Sequence, residues 1–286
     1  MRRLAVLLTL SVLWAAPVLA QTSDWREVPA ENLLVIDTTE GRVLVELMPE
    51  VAPNHVQRIQ TLVRRGFYDG LSFHRVMPGF MAQTGDPQGT GLGGSDLPDV
   101  QAEFTFRRGA EPAFVPIEGT DRGLARAAGV QLGLFGVMPV QTQPDGQMFA
   151  TRDGRVEAQA WFCTGVVGAA RTAGDVNSAN SQFFIMNASG TMLNGQYTAF
   201  GRVVGPMDAV MALQPGAGGS GIVPEATRDR MTRLRMAADI PVPDRPRVRV
   251  LNGGSARFAE LIETRRAARG ASFSLCDVAP LSEVFE

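Results

Sequence analysis

The pattern of apolar and polar positions first turns regular at residue 33. Leu33-Leu34-Val35-Ile36 is an unbroken apolar run, a turn follows near Glu40-Gly41, and Val43, Val45 and Leu47 then alternate with Leu44 and Glu46. A period of two belongs to strands, so 33–47 reads as a hairpin whose second strand turns one face to a core. After Pro53 the period changes. Val56, Ile59 and Val63 have helical spacing, Arg64 and Arg65 fall in the last turn, and Gly66 stops the helix. Pro206 opens a second helical segment that runs to Leu213. Between them lie short apolar runs broken by Gly and Pro: Leu71 to Phe80, Gly165 to Ala170, Gln182 to Met186 and Thr198 to Val204. Such spacing predicts antiparallel strands in a closed sheet, not a parallel sheet with long crossovers.

Two regions depart from this pattern. Residues 106–160 are less regular and rich in Gly and Gln, which predicts an irregular insertion whose ends return to the same sheet. Beyond about Glu225 an Arg-rich tail holds a strand-like Arg247-Val248-Arg249-Val250. A helix follows from about Ala256, with Phe258, Leu261 and Ile262 on one face and a stop at Gly270. With few large apolar side chains, the tail is expected to dock on the rest of the chain. The predicted fold is mainly β: a closed antiparallel barrel of about eight strands capped by two helices, carrying the insertion and a small C-terminal α/β extension.

Composition adds a location. Met1-Arg2-Arg3, the apolar run Leu4 to Ala16 and the small residues ending at Ala20 read as a secretory signal peptide over 1–20. About 13 apolar residues at 1.5 Å each are too few to span a hydrocarbon core of roughly 30 Å. The expectation is export, to a bacterial periplasm, without membrane insertion after cleavage; residues 21–30 form a polar lead. A net charge of -2, with every basic residue an Arg, gives no reason to expect nucleic acid. In an oxidising compartment Cys163 and Cys276 either pair or remain two separate buried thiols, and both readings stand. His55 and His74 are the only histidines and neither has a Cys nearby, so no metal or other cofactor is expected.

The densest motif runs from Gly66 to Pro87, Gly-Phe-Tyr-Asp-Gly-Leu-Ser-Phe-His-Arg-Val-Met-Pro-Gly-Phe-Met-Ala-Gln-Thr-Gly-Asp-Pro, followed by a Gly-rich turn over 89–94. A second comprises Ser181-Gln182-Phe183-Phe184-Ile185, Leu193-Asn194-Gly195-Gln196-Tyr197 and Phe200-Gly201-Arg202-Val203. Together they resemble the cyclophilin family over roughly 31–215. A cyclophilin-like domain is therefore expected over 31–225, interrupted by the insertion, with 226–286 as the extension.

The resemblance implies peptidyl-prolyl cis-trans isomerisation of proline-containing polypeptides, without cofactor. Arg75 matches the family's catalytic arginine, and Gln83 and Gln182 position the peptide or Arg75. Phe80, Met81, Phe184, Leu193 and Tyr197 line the proline pocket, and Ala170-Arg171-Thr172 matches the strip that pairs with substrate backbone. Met192 stands where many members carry Trp and Tyr197 where many carry His, so weakened cyclosporin binding is implied. Strand alternation from Phe73 puts Arg75 on the face of Phe73 and His74 on the other, packed beneath as a hydrogen-bonded structural residue. No nucleophile and base are arranged for hydrolysis. A peptide-binding or assembly module on the same barrel is the alternative; joint retention of Arg75, Phe80, Gln83, Gln182 and Phe184 favours turnover. Nothing in the sequence fixes the oligomeric state, and a monomer is the default.

Overall fold

The computed structural model describes residues 23–119, 123 and 128–285; the expected signal segment lies outside them. Eight strands form one antiparallel sheet in the order β14 (Met231–Met236), β2 (Leu33–Thr38), β3 (Gly41–Leu47), β13 (Ala199–Val203), β11 (Val166–Ala169), β12 (Phe183–Met186), β5 (Met81–Thr84) and β4 (Arg75–Met77). The sheet curls until its edges meet. Gly70 N–H donates to Met231 O at 2.7 Å and Met231 N–H to Leu71 O at 2.8 Å. These bonds, made by the chain just before β4, form a short seam and not a full ladder, so the barrel is closed only approximately. Because Met231–Met236 is a strand of this sheet, the boundary expected at 225 moves beyond 236.

Inside the barrel Leu34, Ile36, Val45, Phe73, Phe183 and Phe200 pack with Val56, Ile59 and Leu62 of helix α1 (Pro53–Arg64) and with Val210 of helix α2 (Asp208–Ala212). The outer wall is also covered. Leu33, Val35, Leu44, Val166 and Met186 pack against Phe135, Met138 and Val140 of the insertion and Val248 and Val250 of the tail. Strands buried on both faces need no polar side, which explains the unbroken run at 33–36. The expectation of a single buried face on 43–47 is corrected accordingly: Leu44 and Glu46 are 3% and 5% exposed.

The insertion is not irregular, and it does not join the barrel sheet. It forms its own five-stranded antiparallel sheet in the order β6 (Thr105–Arg108), β10 (Val156–Ala160), β9 (Met138–Thr142), β8 (Gln131–Phe135) and β7 (Phe114–Pro116). The N-terminal lead contributes β1 (Trp25–Glu27) to a third sheet with β15 (Arg247–Leu251) and β16 (Ser282–Phe285). Helix α3 (Ala256–Arg269) starts where the Ser255 hydroxyl accepts from Phe258 N–H and stops at Gly270, whose φ is 55°. Its Phe258 and Ile262, with Phe273, Leu275 and Val278, pack on Ile117, Leu132 and Leu134 of the insertion. Insertion and extension thus form one lobe on the outer wall of the barrel.

Two devices fasten that lobe. Cys163, next to the barrel strand β11, is disulfide-bonded to Cys276 in the tail, which decides between the two cysteine readings. Arg202 of β13 is 1% exposed and reaches outward, donating to Val137 O at 2.8 Å and to Val278 O at 2.9 Å. Burial pushes its pKa down to about 9. The disulfide spans 113 residues of sequence, so replacing both cysteines with Ser should lower stability by about 2–4 kcal/mol. The urea unfolding midpoint, compared with that of the oxidised wild type, measures this.

Candidate functional site

Register across four strands builds the site. Arg75 on β4 pairs with Gln83 on β5, Gln83 with Phe184 on β12, and Phe184 with Gly168 on β11. Directly paired residues share a face, so these four point outward together. The adjacent row, Val76, Ala82, Ile185 and Val167, points into the barrel core. Phe73 lies in that core as well. The expected sharing of a face by Phe73 and Arg75 is therefore corrected, because residues 73 and 74 precede the regular strand and the alternation breaks there.

Arg75 is half-buried and held by three bonds: Nε–H to Ser220 O at 2.9 Å, one terminal N–H to Gln83 Oε1 at 3.3 Å, and another to Met77 Sδ at 3.0 Å. A guanidinium has five N–H donors, so two remain for a ligand. Gln83 Nε2 donates in turn to Gln182 Oε1 at 2.9 Å, and Gln182 Nε2 to Gly93 O at 2.8 Å. This relay runs from Arg75 to the Gly-rich loop over 89–94. Asp86, 1% exposed, anchors that loop by accepting from the backbone N–H groups of Gln88 at 2.8 Å, Thr90 at 2.7 Å and Gly91 at 2.6 Å. Burial alone would raise its pKa, but the loop's N–H groups hold it below the ordinary carboxylate range.

Beside the relay is an apolar shelf. The Phe184 ring stacks on Phe162 at 5.9 Å and meets the edge of Tyr197 at 5.7 Å. Met81 and Leu193 are buried in the same cluster, and Phe80 and Tyr197 are half-buried against it. Gly168 makes room for these rings, since a Cβ there would sit 2.6 Å from Phe184 Cζ and 2.8 Å from Phe162 Cε1. Asn187 steadies the rim by donating from Nδ2 to Met77 O at 3.0 Å and from its backbone N–H to Phe80 O at 3.1 Å. Met192 stands apart on the rim, 70% exposed.

A groove of about 580 Å3 continues from the relay, walled by 91–94 on one side and 170–173 on the other. Arg171 does not present a free charge there. Its guanidinium lies 4.5 Å over the Tyr197 ring and donates to Gln196 O and Thr172 O, each at 3.1 Å. Ala170 N–H is spent on Gln182 O at 2.9 Å, and Thr172 N–H on Ser178 Oγ at 2.8 Å. The main chain of Arg171 takes part in none of these bonds.

His74 is buried as expected, but neither ring nitrogen has a hydrogen-bond partner among the described residues. Burial pushes its pKa down; Asp86 opposes this, and Arg228 and Arg75 reinforce it. It is a neutral packing residue, not a hydrogen-bonded one.

The structure thus gathers Arg75, Gln83 and Gln182 into one chain, and Phe80, Met81, Phe184, Leu193 and Tyr197 into one shelf with Ala170 and Arg171 at its edge. Sequence reasoning missed Ser220, Phe162, Asn187 and Gly93. Two of them carried a signal: Gly93 stands in the Gly-rich turn over 89–94, and around Ser220 the glycines at 216, 218, 219 and 221 mark a loop pressed close to another chain segment, where Val76 N–H indeed donates to Gly221 O at 2.8 Å.

Comparison with known proteins gives this arrangement a context. The family model described as "Cyclophilin type peptidyl-prolyl cis-trans isomerase/CLD" matches residues 33–236. A probable peptidyl-prolyl cis-trans isomerase of Brucella suis biovar 1 is 37% identical over 198 residues, covering 65% of this chain and 74% of that protein. Peptidyl-prolyl cis-trans isomerase-like 1 of Gibberella zeae is 28% identical over 197 residues, covering 69% and 86%. The crystal structure of cyclophilin AquaCyp293 from Hirschia baltica superposes with a TM-score of 0.77 at 33% identity, covering 91% of this chain and 93% of that one.

Two outcomes follow from the geometry. A carboxylate whose folded pKa lies below its unfolded value stabilises above the ordinary aspartate range and loses that contribution as pH falls through the folded value. The Thr90 and Gly91 amide resonances should therefore hold from neutrality down to about pH 4 and shift below it; an Asp86→Asn variant should lack the transition. Gly168→Ala must push Phe184 or Phe162 aside, costing about 1–3 kcal/mol, and should raise the Kd of a peptide seated on the shelf, as read by NMR titration.

Proposed function

The chain belongs to the cyclophilin-type peptidyl-prolyl cis-trans isomerase family, and from that premise we propose that Arg75 accelerates rotation of X-Pro bonds by hydrogen-bonding the prolyl nitrogen in the twisted state. Amide resonance opposes rotation with a barrier of about 18–20 kcal/mol. As the bond twists, the nitrogen pyramidalises and recovers a lone pair that is unavailable in either planar isomer. A donor aimed at it binds the transition state and not the ground state, which is the condition for raising the rate. The observation that carries this reading is the half-buried Arg75, tied down on three donors and left with two.

A charge-assisted hydrogen bond contributes roughly 1.5–3 kcal/mol, about one to two decades of rate. The remaining acceleration comes from orientation. The proline ring rests on the shelf of Phe80, Met81, Phe184, Leu193 and Tyr197, while the Arg171 backbone pairs with the flanking chain. Gln83 and Gln182 are positioning residues, acting through Arg75 and the 89–94 loop. No proton is transferred and no covalent bond forms.

The substrates we propose are proline-containing segments of exported proteins during folding, in a bacterial periplasm. Support comes from the signal-like pattern of residues 1–20 and from the Cys163–Cys276 disulfide, a bond that persists in oxidising compartments.

Exchange NMR on a short Ala-Pro peptide tests the assignment. Wild type should exchange the isomers far above the uncatalysed rate, and Arg75→Ala should lower turnover by about one to two decades with the circular dichroism spectrum unchanged. Equal rates in the two proteins remove Arg75 from the mechanism. Binding without exchange by wild type would favour a peptide-binding module instead.

A further inference from the structure

A second cleft, of about 310 Å3, lies where the barrel meets the tail, and its wall includes Ser189 and Thr191 from the barrel and Arg269, Ser274, Cys276 and Asp277 from the extension. It adjoins the proline shelf. Ser189 and Thr191 flank Gly190, where a Cβ would come within 3.2 Å of the Phe80 ring, and Leu193 of the shelf follows two residues later. A single turn of chain therefore separates the cleft from the shelf, and the cleft shares no lining residue with the 91–94 groove. Extended peptide advances about 3.3 Å per residue, so a polypeptide held at its proline reaches the cleft within a few residues.

Several independent contacts fix the tail wall. Cys276 is bonded to Cys163, and Ser189 Oγ donates to Cys276 Sγ at 3.2 Å. The Asp277 carboxylate accepts from Ser274 N–H at 2.8 Å and from Ser274 Oγ at 3.3 Å, closing a capping box. Arg265 donates to Asp277 O at 2.8 Å and to Ala279 O at 3.1 Å.

The cleft holds an ion pair with no net charge, and the arginine is its more exposed partner. Asp277 is consumed by Ser274 and by Arg269 Nε, which lies 2.9 Å from Asp277 Oδ1, and its side chain is only 17% exposed. Arg269 is 57% exposed and spends its Nε on that pair. Its two terminal amino groups can form the forked contact a carboxylate accepts. Ser189, Thr191 and Ser274 supply hydroxyls that bond either oxygen. We propose that this cleft is a second substrate subsite, which selects polypeptides carrying an acidic side chain a few residues from the proline, on one side of it only, with Arg269 as the specificity residue.

The inference rests on the isomerase reading, and one peptide series separates the two. Peptides with an Ala-Pro centre carry Glu, Ala or Lys at each of the first four positions on either side, and exchange NMR with the purified mature protein gives kcat and KM for each. Expected is a lower KM for Glu than for Lys, by about two- to fivefold, as an exposed ion pair allows, confined to one or two positions on one side and fading as salt is raised. Arg269→Gln should bring the Glu-to-Lys ratio near one, and Arg269→Lys should keep part of it. Equal KM values at every position, or a preference that survives in Arg269→Gln, would overturn the subsite while leaving the isomerase standing. Absence of exchange with every peptide, the unsubstituted one included, would overturn both.

Discussion

An arginine without a carboxylate, sealed between barrel and lobe, is the interaction on which the rest of the structure depends. Burying a guanidinium is costly unless its donors are met, and Arg202 offsets part of that cost with two carbonyls 141 residues apart in the sequence, Val137 of the insertion and Val278 of the tail, while its buried Nε has no partner among the described residues. Val137 and Val278 are themselves buried. The barrel strand, the insertion and the extension therefore meet at one point: withdrawing the arginine orphans both carbonyls, and withdrawing either carbonyl leaves a buried guanidinium donor unmet. The depressed pKa of Arg202 has the same origin: burial disfavours its charge and no acid compensates.

That constraint reaches the site through the wall itself. Phe184 and Leu193 of the shelf belong to the cluster that also contains Phe135, Met138 and Val140 of the insertion and Val248 and Val250 of the tail. In a barrel with a solvated outer wall these strands would alternate, and the shelf would be an isolated apolar patch. Here the shelf is the exposed margin of a covered wall. Its aromatic stack of Phe162, Phe184 and Tyr197 is braced from behind, so the ring positions are set by packing that the site does not share with solvent.

How much of this the sequence disclosed depended on the range of the determining interaction. Strand and helix positions in the barrel follow from local periodicity and from Pro and Gly at the ends, and α1 and α3 stop at Gly66 and Gly270 where those residues allow. The continuous motif 66–87 likewise placed Arg75, Phe80 and Gln83 beside each other. What stayed hidden is long-range. Ser220 meets Arg75 from 145 positions away; the glycines around it mark a closely packed loop, but nothing local names Arg75 as its partner. In the insertion, short strands interrupted by Gly133 and Pro139 leave too few consecutive positions for a period to emerge, so a true sheet reads as irregular chain. The break in alternation at 73–75 is a third case: a motif gives residue types, whereas the face each occupies depends on where pairing begins.

The site is therefore best understood as two layers of unequal origin. The register row from Arg75 to Gly168 is a product of the barrel and would exist in any sheet with this pairing. The lobe adds a fixed wall beside it. A flexible tail would lose conformational freedom on each encounter with a substrate and weaken binding by that amount; a tail stiffened by its own capping box and joined through a disulfide and a shared arginine has lost that freedom on folding. Contacts made by Arg269 and its neighbours can then contribute to affinity with little ordering cost. The fastening of the lobe, remote from Arg75, in this way governs which polypeptides reach it.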